Sequence, residues 1–238
     1  MAGRYTFRTK IRRTAAGIHP AAVLLPRKGE RDLPSVSWAD PSCFYVCSHE
    51  AISRIFASAS PGPSMRIAPP KVNTHEKNGG VFCCEINGIE PSKSGAAGEL
   101  RGTISYEKRL GSIYANNKLG TYGTLNKLPS FCKDSIAVAD ISEVTPGNAE
   151  IYCTLDDGKR NAYKIEIIKA VKQSAKDDKG IVFRVTDKDL LAKTCGIVQG
   201  MSGSPIVQNG KLVGAVTHVF VNDPTKGYGV YAKWMLTN

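Results

Sequence analysis

Gly200-Met201-Ser202-Gly203-Ser204-Pro205 constrains the fold of this 238-residue chain more than any other stretch, because it must form a tight turn with a serine at its tip. Glycine reaches φ > 0 at little steric cost, so the flanking glycines let the backbone reverse. Successive N–H groups then point at one spot, where a negative oxygen would be stabilised. The residues after the turn fix its context. Ile206-Val207-Gln208 reads as a short strand, and Asn209-Gly210 as a type I′ hairpin turn, which needs φ > 0 at both central residues. Lys211 to Val221 reads as a long apolar strand. The G-x-S-x-G elbow that leads from a strand into a helix is excluded, since a hairpin comes next here. Taken alone, G-x-S-G also describes an ordinary turn before a hairpin.

The rest of the chain reads as short strands. Residues 33 to 79 are rich in Pro, Ser and Ala and show no sustained period of 2 or 3.6. From Gly80 the pattern becomes β-like, with strands expected over Val81–Ile86, Gly98–Ser105, Ser135–Val144, Ala149–Leu155, Asn161–Val171 and Ile181–Val185. Asn116 to Gly120 marks a turn, and Asp156 to Arg160 a longer hairpin loop. Thr186-Asp187-Lys188-Asp189 resembles a capping box that opens a short helix, Lys188–Lys193. Many short strands and one brief helix imply an all-β chain of β-barrels. Hydrophobic residues make up 42% of it, enough for a sizeable core.

The net charge of +11 is uneven: residues 1 to 31 hold eight Lys/Arg against the single acid Glu30. Residues 1–32 are therefore expected to be a basic, solvated arm, with residues 33–238 as the folded domain. A nucleic-acid-binding role would rest on that arm alone, and no nucleic-acid partner is expected. No segment has the length of a membrane span, and Ala21 to Leu25 is too short for an export signal. Seven cysteines without a C-x-x-C pair imply free or buried thiols. Cys43, Cys47 and His49 are close in sequence, but no second ligand pair is present, so no metal site and no cofactor are expected.

Val185-Thr186-Asp187-Lys188, Gly196 to Ile206 and Gly214 to Gly229 together resemble the peptidase domain of the SpoIVB family, serine peptidases of endospore-forming bacteria. Weaker similarity extends upstream through Cys153-Thr154-Leu155, Gly120 to Lys127 and Gly98 to Gly102, so that roughly residues 80 to 238 are covered. The resemblance implies an all-β, chymotrypsin-like double β-barrel with one or two short helices, and a Ser-His-Asp triad working by acyl-enzyme chemistry. Members usually carry a membrane anchor and a PDZ domain before the peptidase. Neither is visible, so the chain is expected to be a peptidase domain alone. The implied role is cleavage of a membrane-bound regulator, between forespore and mother-cell membranes, that triggers processing of a late sporulation sigma factor.

Ser202 falls on the family's nucleophile, with the backbone N–H groups of Gly200 and Ser202 as the implied oxyanion donors. Ser204 is the competing hydroxyl. Asp187 falls on the triad acid, although its context also suits a plain helix cap, and Asp189 is its nearest competitor. The base must be one of His19, His49, His75 and His218. Phe44 to His49 keeps the family's Phe-to-His spacing, with Ser48 in place of a glycine and Glu50 inserted before Ala51-Ile52-Ser53. His49 also stands first in the order His-Asp-Ser, so it is the expected base, with His75 in reserve. In this fold the strand after the nucleophile hairpin lines the primary substrate pocket, which gives Thr217, His218 and Val219 as substrate-binding residues. His218 would read glutamine or glutamate, as a histidine on this strand does in picornavirus-type proteases, or it would simply be satisfied within the sheet. The rival reading from another class is a catalytically inactive barrel that binds peptides by strand addition.

Overall fold

The computed structural model describes residues 79–126, 135–155 and 158–236, and upstream of them four strands: Tyr5–Thr9 (β1), Leu24–Pro26 (β2), Ser35–Trp38 (β3) and Tyr45–Ser48 (β4). Ten further strands come after these. They are Gly79–Glu90 (β5), Glu99–Asn117 (β6), Gly120–Leu125 (β7), Ser135–Val138 (β8) and Gly147–Thr154 (β9). Then come Arg160–Ala170 (β10), Ile181–Val185 (β11), Pro205–Gln208 (β12), Lys211–Val219 (β13) and Lys226–Tyr231 (β14). Two short helices, Lys188–Thr194 (α1) and Ala232–Leu236 (α2), complete the described elements.

The second half closes on itself. β12, β9, β10, β11, β14 and β13 are paired in that order, and β13 pairs back to β12. Closure leaves these six strands no free edge. Period-2 patterning turns one face of each strand inward. Tyr163, Ile165 and Ile167 of β10 meet Ile151 and Cys153 of β9 and Ile181, Phe183 and Val185 of β11 in one core. Ile151, Ile165, Ile167, Ile181 and Phe183 are fully buried, each contributing about 2 kcal/mol of transfer free energy. β14 needs two glycines there: a Cβ on Gly227 would lie 2.6 Å from the Phe183 ring, and one on Gly229 would lie 2.7 Å from Ile206 Cδ1.

The first half runs β3-β2-β1-β7-β6-β5-β4, and β8 joins it to the closed barrel by pairing antiparallel with β3 and parallel with β13. The described architecture is all-β, as expected, with one closed six-strand barrel, a second run of seven strands and two short helices. The stretch read as a basic arm contains β1, paired with β7, and β2, paired with β1 and β3.

The tip of the β5–β6 hairpin grips the segment that leads to Ser202. Ser92 N–H donates to Thr194 O (2.9 Å), Gln199 N–H to Gly98 O (2.7 Å) and Leu100 N–H to Gln199 O (2.8 Å). The buried Ser92 hydroxyl donates to Ile197 O (2.9 Å) and accepts from Gly98 N–H (2.8 Å). On the other side, Ile197 N–H donates to Pro224 O (2.7 Å). The two halves thus hold the nucleophile segment between them.

Several elements differ from the sequence reading. The strand expected to reach Val144 stops at Val138, because Asp140 and Glu143 form a capping box around a 3-10 turn, Ile141–Glu143. The strand expected to reach Val221 stops at Val219, where Asp223 N–H turns back to Phe220 O (3.1 Å). β14 and α2 lie where no element was expected.

Candidate active site

Residues 196–205 form the turn that the glycines require. Gly200 has φ +102° and Gly203 has φ +93°. The backbone donors of this turn fall into two groups. Met201 N–H donates to Val198 O (3.2 Å), Gly203 N–H to Val216 O (2.8 Å) and Ser204 N–H to Met201 O (3.0 Å). Among the described residues, the N–H groups of Gly200 and Ser202 donate to no main-chain carbonyl. Those two are the donors expected to face an oxyanion. Met201 is fully buried in the core, and Ser204 is 3% exposed with its carbonyl taken by Val216 N–H (2.9 Å). Ser202 is half-buried, and its hydroxyl donates to Thr217 O (3.2 Å). Of the two serines, Ser202 is the more exposed.

Asp187 is the N-cap of α1. Its Oδ1 accepts from Asp189 N–H (3.1 Å) and Leu190 N–H (3.0 Å), and its Oδ2 from Lys164 N–H (3.2 Å). A carboxylate oxygen has two lone-pair sites, so Oδ1 is filled and Oδ2 keeps one acceptor position. Both sequence readings of Asp187 can therefore hold together, with the cap fixing the carboxylate that an imidazole would meet. Asp189 is exposed in the first turn of α1. His49, His19 and His75 lie outside the described residues, as do the side chains of Cys43 and Cys47; β4 ends at Ser48, one residue before His49. Among the described residues no cluster of His, Cys, Asp and Glu could hold a metal ion, Cys153 and Cys195 are thiols outside any disulfide, and no helix is long and apolar enough to cross a membrane.

Thr217, His218 and Val219 sit at the end of β13, where the register with β14 shifts between Val216 and His218. The Thr217 carbonyl meets Ser202, and its hydroxyl donates to Asp178 O (3.1 Å). The His218 ring is 9% exposed, with Nδ1 2.8 Å from Thr217 Oγ1 and Nε2 3.6 Å from Asp178 Oδ2. It also packs edge-on against Tyr228, whose ring stacks on Phe220. Sequence reasoning missed Asp178 and the Ser92–Gly98 clamp. Lys176-Asp177-Asp178-Lys179-Gly180 reads as a solvated turn, and a single serine in a hairpin tip carries no signal of its own. The 15-residue gap between Thr217 and Ser202 is legible, but a contact 39 residues away to Asp178 is not.

The model of the SpoIVB peptidase S55 family matches residues 68–236, well over half of the chain. No curated protein sequence matches it. Among solved structures, the active form of the Rv3671c protease from M. tuberculosis aligns with TM-score 0.42 at 13% identity, over 99% of this chain and 78% of that one. The HtrA-type protease AlgW with decapeptide aligns with TM-score 0.40 at 11% identity, over 99% of this chain and 62% of that one. By its family match, the chain belongs to the SpoIVB peptidase S55 family and is a serine endopeptidase domain.

Proposed function

We propose that Ser202 is the nucleophile, His49 the general base and Asp187 the acid that orients it, with the N–H groups of Gly200 and Ser202 as the oxyanion hole. The observation that carries this reading is the division of backbone donors in the turn: among the described residues, Met201, Gly203 and Ser204 spend theirs on main-chain carbonyls, and Gly200 and Ser202 do not. In the reaction, the base takes the Ser202 proton as Oγ attacks the scissile carbonyl. The two N–H groups stabilise the resulting oxyanion, and the protonated base hands its proton to the departing amine. The Asp187 carboxylate holds the imidazole orientation through its remaining Oδ2 acceptor position.

Peptide hydrolysis by wild type and single variants tests these roles. Ser202→Ala is expected to lower kcat by roughly 10⁶, with His49→Ala equally damaging. Ser204→Ala and His75→Ala should keep most activity. The rate should rise with pH through the histidine range, near 6.5 before perturbation. Loss of activity in Ser204→Ala with retention in Ser202→Ala would move the nucleophile. Retention in His49→Ala with loss in His75→Ala would move the base.

For the substrate, family membership supports a membrane-bound regulator of sigma-factor processing, cut in the space between forespore and mother-cell membranes. Cleavage of the soluble part of such a regulator by wild type and not by Ser202→Ala is the expected result. A second reading, an inactive barrel that binds peptides, draws on one observation: three of the Asp187 acceptor positions already serve backbone N–H groups. Under that reading wild type and Ser202→Ala bind peptides alike and neither hydrolyses them.

A further inference from the structure

The connection between β10 and β11, residues 171–180, folds back over the end of the second barrel. Tyr231 Oη donates to Val171 O (3.0 Å), Trp234 Nε1 to Gln173 Oε1 (2.8 Å), and Lys179 Nζ lies 5.2 Å above the Tyr228 ring. These contacts carry Asp178 to the end of β13. There the main chain and side chain of Asp178 act on consecutive residues, its carbonyl on Thr217 and its carboxylate on His218.

The hydrogen-bond directions at Thr217 give His218 Nδ1 its role. The Thr217 hydroxyl has one proton, and it goes to Asp178 O. Toward His218 that hydroxyl can only accept, so Nδ1 carries a proton and donates across the 2.8 Å contact. Nε2 then faces a carboxylate oxygen at 3.6 Å. A bare Nε2 lone pair would be repelled by that oxygen, whereas a protonated Nε2 is attracted to it. The ring is 9% exposed and Asp178 19% exposed, so a protonated ring would have the Asp178 carboxylate at ion-pair distance, offsetting its charge.

We propose that Asp178 is the specificity-determining residue of the primary substrate pocket: by neutralising His218 it makes the pocket select uncharged side chains before the scissile bond. This rests on the reading that Thr217–Val219 line that pocket. An incoming glutamate would find the His218 charge already matched and the Asp178 carboxylate beside it. An incoming lysine would find the carboxylate matched and an imidazolium beside it. An uncharged side chain meets no net charge. Of the two side chains that a histidine on this strand would read, glutamine and glutamate, the Asp178 carboxylate favours glutamine.

The test uses the full chain and a peptide series that varies only at the residue before the scissile bond, carrying Val, Gln, Glu or Lys, assayed near pH 6. Wild type should cleave the Val and Gln peptides at least about tenfold faster than the Glu and Lys peptides. Asp178→Asn keeps the shape and the main-chain bond to Thr217, and should raise the Glu:Gln rate ratio about tenfold by removing the carboxylate that repels an incoming glutamate. Asp178→Ala should shift the ratio the same way. Adding His218→Val to either variant should abolish the gain. Because the readout is a ratio within one protein, partial loss of folded enzyme cancels. Preference of wild type for Glu overturns the proposal. So does an unchanged ratio in both Asp178 variants while His218→Val alters the profile, an outcome that leaves the pocket reading intact. If His218→Val leaves the whole profile unchanged, the strand does not line the pocket and the underlying reading fails.

Discussion

Gly200 answers two demands at once. Its φ of +102° is one that a residue with a Cβ rarely adopts, and an added Cβ would lie 3.1 Å from Leu100 Cβ. Gly200→Ala is expected to cost about 1–2 kcal/mol of stability and to swing one oxyanion donor out of line. Loss of such a donor lowers kcat about 10²–10³-fold with KM little changed, a split that steady-state kinetics reads directly. Asp187 separates its two roles by substitution. Asparagine keeps the two cap bonds but turns an NH2 toward Lys164 N–H, so Asp187→Asn should lose about 1 kcal/mol, whereas Asp187→Ala, which loses all three bonds, should lose about 2 kcal/mol. If Asp187 also orients the base, Asp187→Asn loses about 10⁴ in kcat despite its intact fold. Normal activity in Asp187→Asn would leave it a cap and nothing more. At this scale the sequence was most legible around Ser202, where glycine positions dictate the turn chemically. It was least legible at Asp178, whose partners Thr217 and His218 lie about 40 residues away and meet it only through the barrel.

Elements with a local cause were legible. The Asn209-Gly210 turn has φ of +52° and +73°, as a type I′ hairpin demands. α1 begins where Asp187 accepts its first-turn N–H groups. The strands with clean alternation, β9, β10 and β11, lie within a residue or two of expectation. β14 was not legible, because Gly227 and Gly229 erase the strand pattern for a tertiary reason, the Phe183 and Ile206 side chains passing over them. The same strand ends in Tyr231, whose phenol is buried and bonded to Val171 O, and burial pushes its pKa up to about 12. A folded-state pKa raised above the ordinary value near 10 means stability that is present below pH 10 and lost as pH rises through about 12. Tyrosinate absorbance should show a late-titrating phenol that Tyr231→Phe removes, coincident with alkaline loosening of β14. Normal ionisation of every tyrosine near pH 10 would contradict the burial at this strand end.

For the whole molecule, the closed barrel β12-β9-β10-β11-β14-β13 supplies a rigid wall, and the hairpin tip Ser92–Gly98 brings the first half onto the nucleophile segment. Charge distribution and composition could not show this joint, since it consists mostly of main-chain bonds, with the single Ser92 hydroxyl among them. Nor could they show that Tyr5–Thr9 pairs with β7 inside a stretch whose basic residues read as a solvated arm. Both halves converge on one turn, and the function proposed for the molecule requires that turn to present Ser202 as an activated nucleophile. Fluorophosphonate labelling of the full chain, followed by peptide mapping, reads that activation at the reacting atom. A single adduct on Ser202, absent from Ser202→Ala and lost when His49 is replaced by alanine, is the predicted result. An adduct on Ser204, or no adduct on folded wild-type protein, would contradict it.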